Sequence, residues 1–214
     1  MPLTGSGRAV SGSRGGGPLF ETLRDLLNSG ELERFHATPG MKTQTIAEHS
    51  WRVSMVAFKL WGIQSAEEIM RYLTHDCGEL ASGDIPAPTK WGHPRLSKLT
   101  NEIERLERVR LGVEMPETRD PGVHRRLKLA DGIELMITCL RERKQGNQYA
   151  DPVFLAISEH VVEEFYLSNG ELELVQSVVM AYLVAGYPQA ESMNSVLEKI
   201  NEIVEGRRAE QAAD

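Results

Sequence analysis

Little cysteine, few aromatic side chains and no long apolar run are the first features of this 214-residue chain. The two cysteines, Cys77 and Cys139, both fall in segments that read as helix, which suits free thiols in a reducing compartment better than a structural disulfide. A chain of this length buries a sizeable core without such a staple. No apolar run approaches the roughly 18 residues of a membrane helix, and the first residues lack the apolar core of a secretion signal, so a soluble protein of the cytoplasm is expected. An excess of basic charge is also absent: 24 Lys plus Arg stand against 31 Asp plus Glu, for a formal charge of −7. That balance disfavours long nucleic acids as partners, while a local basic patch keeps small anions open. There is no glycine-rich dinucleotide fingerprint and no P-loop, which removes the commonest nucleotide-binding folds. Strand-like alternation, hairpin turns and internal repeats are missing too, so the expected class is all-α.

What is present is helical. Residues 1–17 are rich in Gly and Ser and read as a tail that cannot offset the entropy of ordering, leaving one domain over 18–207 and a short C-terminal tail over 208–214. Leu19, Leu23, Leu26 and Leu27 recur at spacings of three and four, so a first helix is expected to end at Asn28-Ser29-Gly30. Thr45 to Glu48 and Ser65 to Glu68 both have the spacing of a capping box and open the next two helices, the second carrying Tyr72, Leu73, His75 and Asp76. Gly83 to Pro88 is expected as a stiff loop, because two prolines in three residues oppose a regular helix. Further helices are expected over about 96–111, from Asp120-Pro121 to about 144, from Asp151-Pro152 to 167, and over 171–185 and 188–207. The sum is a bundle of seven or eight helices around a central site.

The chemistry sits on the inward faces. His49 shares its helical face with Ile46, Val53, Val56 and Leu60; Asp76 with Ile69, Leu73 and Leu80; and Asp131 falls between Leu127 and Leu135. An ionised carboxylate on an inward face costs several kcal/mol unless something pairs with it. A lone inward His is usually a hydrogen-bonded core residue, and a lone Asp often caps a neighbouring helix. Here an inward His, a His-Asp pair 26 residues later and an inward Asp 55 residues beyond that lie on separate helices. A bound cation explains all four.

Ala47-Glu48-His49-Ser50, then His75-Asp76-Cys77-Gly78-Glu79 running into Gly83-Asp84-Ile85-Pro86-Ala87-Pro88-Thr89-Lys90-Trp91, then Lys128-Leu129-Ala130-Asp131, resembles the HD-domain phosphohydrolases. Within them, the likeness is to the bacterial 5′-deoxynucleotidases and the phage dATP triphosphohydrolases, over about residues 31 to 140. The resemblance implies His49, His75, Asp76 and Asp131 as metal ligands, Glu79 as the acid–base residue and Arg34 as a phosphate anchor. Asp84 matches the acidic residue of the family's proline loop and is taken as a catalytic candidate, with Lys90 as the downstream lysine that helps hold phosphate. Phe35 stands where the deoxynucleotidases carry a tryptophan against the sugar, and Trp91 would line the pocket mouth. His36 receives no role.

Two imidazoles and two carboxylates form a mixed nitrogen and oxygen shell suited to Mn, Co, Fe, Ni or Zn, with Mg also admissible. Such an ion activates water and offsets phosphoryl charge. Arg34 can fork two hydrogen bonds to a phosphate. Arg105, Arg108 and Arg110, among glutamates, read as a salt-bridged helix face. Glu104-x-x-Glu107 with Glu117-x-x-Asp120 faintly suggests an all-α pyrophosphatase, but Pro116 and Pro121 place the second pair in a loop. Two other readings are an HD phosphodiesterase on cyclic or oligonucleotides and a non-catalytic nucleotide sensor. The favoured expectation is hydrolysis of a deoxynucleotide at its 5′ phosphoester. A homo-oligomer is also expected, through C-terminal helices bearing Val178, Val179, Leu183, Val196, Leu197 and Ile200.

Overall fold

The structure is a computed structural model describing residues 18–36, 38, 40–62, 65–115, 120–186 and 190–213. Its elements in chain order are α1 (Pro18–Gly30), β1 (Glu33–Arg34), β2 (Gln44–Thr45), α2 (Ile46–Trp61), α3 (Ala66–Thr74), α4 (Glu79–Ser82), α5 (Ala87–Gly92), α6 (Pro94–Leu111), α7 (Pro121–Lys144), α8 (Asp151–Glu164), α9 (Asn169–Val184) and α10 (Ala190–Ala213), with a 3-10 turn at Gln148–Ala150. The expected tail over 1–17 and the motif residue Glu117 lie outside the described residues. The helix α10 continues past position 207, where the C-terminal tail was expected.

The class is all-α, as expected, and α4 and α5 are the short segments beyond the seven or eight foreseen. Strand is not wholly absent: Glu33 pairs with Thr45 and Arg34 with Gln44 in a two-residue antiparallel ribbon. Four residues are too few to show an alternating pattern in sequence.

Capping decides where α2, α3 and α7 begin. The Thr45 hydroxyl accepts the Glu48 amide at 3.1 Å, and the Ser65 hydroxyl accepts the Glu68 amide at 3.1 Å. Each box is half made, because Glu48 pairs with Arg52, and Glu68 turns to Tyr72 and Arg126. Asp120 accepts the Gly122 amide at 2.8 Å and opens α7. Asp151 does not cap α8 as foreseen: Ala150 is the N-cap, and the Asp151 carboxylate accepts from the Tyr182 hydroxyl and Arg143.

Two departures bear on the site. The helix expected to run through His75 and Asp76 ends at Thr74, and a turn over 75–78 separates it from α4. A Cβ on Gly78 would stand 2.2 Å from the Glu104 carbonyl oxygen, so only glycine lets this turn seat against α6. The proline loop ends at Pro86, and Pro88 enters the first turn of α5, where a missing amide costs nothing.

The core is built mainly by α7, α8, α9 and α10, with Leu129, Ile133, Met136, Phe154, Val161, Val175, Val179, Tyr182, Met193, Val196 and Ile200 buried together. Phe154 and Tyr182 stack with centroids 3.6 Å apart. Val178, Val179, Val196 and Ile200 are thus spent on the chain's own core, and Leu183 and Leu197 pack against it. Across this core α7 also packs on α2, bringing the Asp131 face of one helix against the His49 face of the other. Leu19, Leu23 and Leu27 of α1 stay exposed, as do Trp51, Met55 and Phe58 along α2.

Candidate metal centre and active-site cleft

His49 rises from the first turn of α2, one turn beyond its Thr45 cap, and is fully buried. Its Nδ1 lies 2.9 Å from Glu134 Oε2, which turns Nε2 toward 3.2 Å from Asp131 Oδ1 and 3.5 Å from Asp76 Oδ2. His75 is oriented the same way by a backbone group: its Nδ1 lies 2.8 Å from the Tyr72 carbonyl, and its Nε2 stands 3.3 Å from Asp76 Oδ2. Both Nε2 atoms are buried and make no hydrogen bond. Donor atoms of His49, His75 and Asp131 all lie within 4.8 Å of one another. Buried nitrogen lone pairs left unpaired beside carboxylate oxygens are costly, and a divalent cation is the group that relieves this. Three of the four predicted ligands share this group, and Asp76, outside it, sets its Oδ2 beside both imidazole nitrogens, so the donor set fits the ion.

Burial favours the neutral form of His75 and holds its pKa below the usual imidazole value. Burial pushes the Asp131 carboxyl up, but the charges of His49, 3.2 Å away, and of Lys128 hold it well below the usual carboxylate range. Neutral imidazole and ionised carboxylate are the forms that ligate.

The cluster opens into a cleft of about 760 Å³ lined by Arg34, His75, Asp76, Glu79, Asp84, Lys90, Trp91 and Asp131, among others. Glu79 begins α4 and is buried; burial first, then the charges of Asp76 and Asp84, push its carboxyl up to about 9. One of its oxygens is buried without a hydrogen bond, and the other lies 3.7 Å from Lys90 Nζ. Lys90 donates to Glu104 at 3.0 Å, so the lysine is anchored by one carboxylate and faces a second. Arg34 leaves β1 half-buried, its NH1 buried and without a hydrogen bond, within the field of Asp76, Asp131, Glu134 and Asp84.

Asp84 accepts the Phe35 amide at 3.3 Å. Phe35 has φ 65°, a left-handed backbone that bulky residues rarely adopt, so the Asp84 contact helps hold the turn that carries Arg34. The Phe35 ring packs against the main core cluster and is not among the residues that line the cleft. Trp91 lines the cleft mouth, half exposed, and stacks on His160.

Three participants escaped sequence reasoning. Glu134 holds His49 and is itself held by Gln44 at 2.9 Å and Thr138 at 2.8 Å. It lies three residues after Asp131 on the same helix, and that spacing was the available signal. Glu104 anchors Lys90. Arg108, read as part of a surface salt-bridge face, lines the cleft and donates to the His75 carbonyl at 3.2 Å.

Residues 19–169 match the family described as 5′-deoxynucleotidase YfbR-like. The chain belongs to this family. It is an HD-type deoxynucleotide phosphohydrolase. Among relatives of this YfbR-like chain, the 5′-deoxynucleotidase of Vibrio cholerae serotype O1 is 30% identical over 142 residues, which cover 56% of this chain and 73% of that one. The dATP triphosphohydrolase of Salmonella phage PMBT28 is 30% identical over 129 residues, covering 54% of this chain and 64% of that one. In structure, the YfbR-like chain is similar to the cyanophage S-2L HD phosphohydrolase DatZ, bound to dA and one catalytic Zn2+ ion, with TM-score 0.54 at 22% identity over 75% of this chain and 94% of that one. An HD-domain phosphohydrolase from Listeria innocua gives TM-score 0.64 at 15% identity over 85% of this chain and 99% of that one. These structural likenesses speak for the fold. No helix among the described residues is long and apolar enough to cross a membrane.

Proposed function

We propose that the cleft hydrolyses the bond between the 5′-oxygen of a deoxynucleoside and its phosphate, releasing orthophosphate from a monophosphate or tripolyphosphate from a triphosphate. The observation that carries the reading is the convergence of two unpaired imidazole nitrogens with Asp76 and Asp131, beside a buried Glu79 and a buried, unpaired Arg34 nitrogen. His49, His75, Asp76 and Asp131 would hold a divalent ion, with Co, Mn, Zn, Fe or Ni fitting the mixed donors and Mg second to them. When bound, such an ion supplies an activated water and offsets charge on the phosphoryl oxygens.

The chain's own residues do the rest. Arg34 donates in a fork to the phosphate, and Lys90, held by Glu104, adds positive charge at the cleft wall. Burial, with the charges of Asp76 and Asp84, raises the Glu79 carboxyl, so its Oε2 is suited to hold a proton and give it to the 5′-oxygen as that bond breaks. Asp84 acts by keeping the Arg34–Phe35 turn in place. A cleft of about 760 Å³ accommodates a single nucleotide, which disfavours the oligonucleotide phosphodiesterase reading. The intact ligand set with Glu79 disfavours a sensor without turnover. The homo-oligomer belongs to this reading as well, carried by the exposed stripe of α1 and α2 instead of the C-terminal helices; sedimentation velocity tests it.

Product analysis with dAMP, dATP, AMP and dGTP under Mn, Co, Zn and Mg tests the chemistry. Orthophosphate or tripolyphosphate with the deoxynucleoside is expected. Pyrophosphate as the main product would overturn the proposed bond, and no hydrolysis with any metal would support the sensor.

A further inference from the structure

The turn that carries His75 and Asp76 is held from outside by α6. An α-helical course from α3 into α4 would send the Glu79 amide to the His75 carbonyl. The chain breaks after Thr74, and the Glu79 amide donates to the Asp76 carbonyl at 2.9 Å instead. Arg108 Nη1 takes the His75 carbonyl at 3.2 Å, across 33 positions of sequence. The far end of the turn also rests on α6, where Gly78 seats against the Glu104 carbonyl. Glu104 and Arg108 are four residues apart and so share one face of that helix.

The arginine is itself fixed. Its Nε donates to Glu114 Oε2 at 2.7 Å. Gly112 takes a left-handed φ of 73° just past the end of α6, and the chain folds back so that the Val113 and Glu114 amides donate to the Arg108 carbonyl at 3.0 and 3.1 Å. Backbone and side chain of Glu114 therefore both return to Arg108, and Val113 packs with Cys77 and Leu111 behind the turn. Arg110 differs: its side chain is 46% exposed and pairs with Glu107 and Asp25, whereas that of Arg108 is 22% exposed and lines the cleft.

We propose that Arg108, braced by Glu114, is a positioning residue for the metal centre: it fixes the peptide between His75 and Asp76, and with it the direction in which both side chains leave the turn. The inference rests on the metal-site reading above. The His75 carbonyl lies in the rigid plane that contains the Cα atoms of both residues, so a donor on that oxygen sets the two together. The Tyr72 carbonyl orients the His75 ring, and Arg108 orients the backbone beneath it.

The test compares wild type with Arg108→Ala, Arg108→Lys and Glu114→Ala. Three quantities are read: Co2+ affinity by calorimetry, the visible absorption spectrum of bound Co2+, which reports ligand geometry, and amide hydrogen exchange over residues 75–80 before Co2+ is added. Arg108→Ala should weaken Co2+ binding by about tenfold, alter the spectrum and speed exchange in that segment. Arg108→Lys, which keeps one donor, should recover part of the affinity. Glu114→Ala should lose less than Arg108→Ala and add little to it in the double variant, because it acts through the arginine. Arg108→Lys and Glu114→Ala carry the test if Arg108→Ala fails to fold. Unchanged affinity, spectrum and exchange in folded variants overturn the positioning role. A raised KM for dAMP with all three unchanged overturns it too, and makes Arg108 a substrate contact. If the wild type binds neither Co2+ nor Zn2+, the metal-site reading fails, and the exchange rates alone decide whether Arg108 holds the turn.

Discussion

Glu134 accepts the Nδ1–H of His49 at 2.9 Å, and this one contact decides which ring nitrogen the cleft receives. With Nδ1 occupied as donor, the lone pair is on Nε2, 3.2 Å from Asp131. Glu134→Ala should therefore lower affinity for the divalent ion by about 10–100-fold, measured by calorimetry on the folded protein. Glu134→Gln, whose carbonyl still accepts, should lose less. Equal affinity in wild type and Glu134→Ala would show that packing alone orients the ring.

Asp131 is proposed as a ligand because its Oδ1 stands 3.2 Å from His49 Nε2, the nitrogen left without a hydrogen bond. Asp131→Ala should lose the ion and the activity together. Metal content after dialysis and turnover on dAMP check this, and normal turnover would remove Asp131 from the centre.

Glu79 is buried and near the cluster without belonging to its donor group. Glu79→Gln preserves shape, so the ion should stay while kcat falls by about 10²–10⁴-fold. Loss of the ion in this variant would make Glu79 a ligand and end the division of labour proposed here.

Acid stability should follow Glu171. Its carboxylate accepts from both ends of the Arg125 fork at 3.0 and 2.8 Å, from the Trp61 ring nitrogen at 3.0 Å and from the Ser168 amide at 2.7 Å, tying α2, α7 and α9 together. Burial raises this carboxyl, but the Arg125 and Ser168 hydrogen bonds outweigh burial and bring it down to about 2, from an ordinary 4.5. A depressed carboxyl stabilises the fold fully above the ordinary value and progressively less as pH falls toward 2. Thermal melts between pH 6 and pH 2 should show Glu171→Ala less stable by about 3 kcal/mol at pH 6, with the gap closing in acid. A gap independent of pH would assign the loss to packing.

His49 and Asp131 were readable because each sits at helical spacing among apolar neighbours, and helix period is a local property of sequence. The break after Thr74 was not readable. It depends on the Glu104 carbonyl pressing on Gly78, a contact between residues far apart in the chain. For the same reason α5 was hidden: two prolines spoke for a loop, yet Pro88 falls where a helix tolerates it. Glu134 was concealed in a run whose other inward residues are Ile133 and Leu135, and its meaning appears only once Gln44, Thr138 and His49 surround it. His160 reads in sequence as one more residue between Glu159 and Val161; its partner Trp91 comes from another helix.

The side chains proposed to hold the ion come from α2, from the turn after α3 and from α7, segments that are distant in the chain and adjacent only when folded. An ion held there is a removable crosslink. Chelation and refolding become one equilibrium, in which each tenfold increase in free metal above its dissociation constant adds about 1.4 kcal/mol to the native state. Metal supply would then set how long the folded chain persists as well as how fast it turns over.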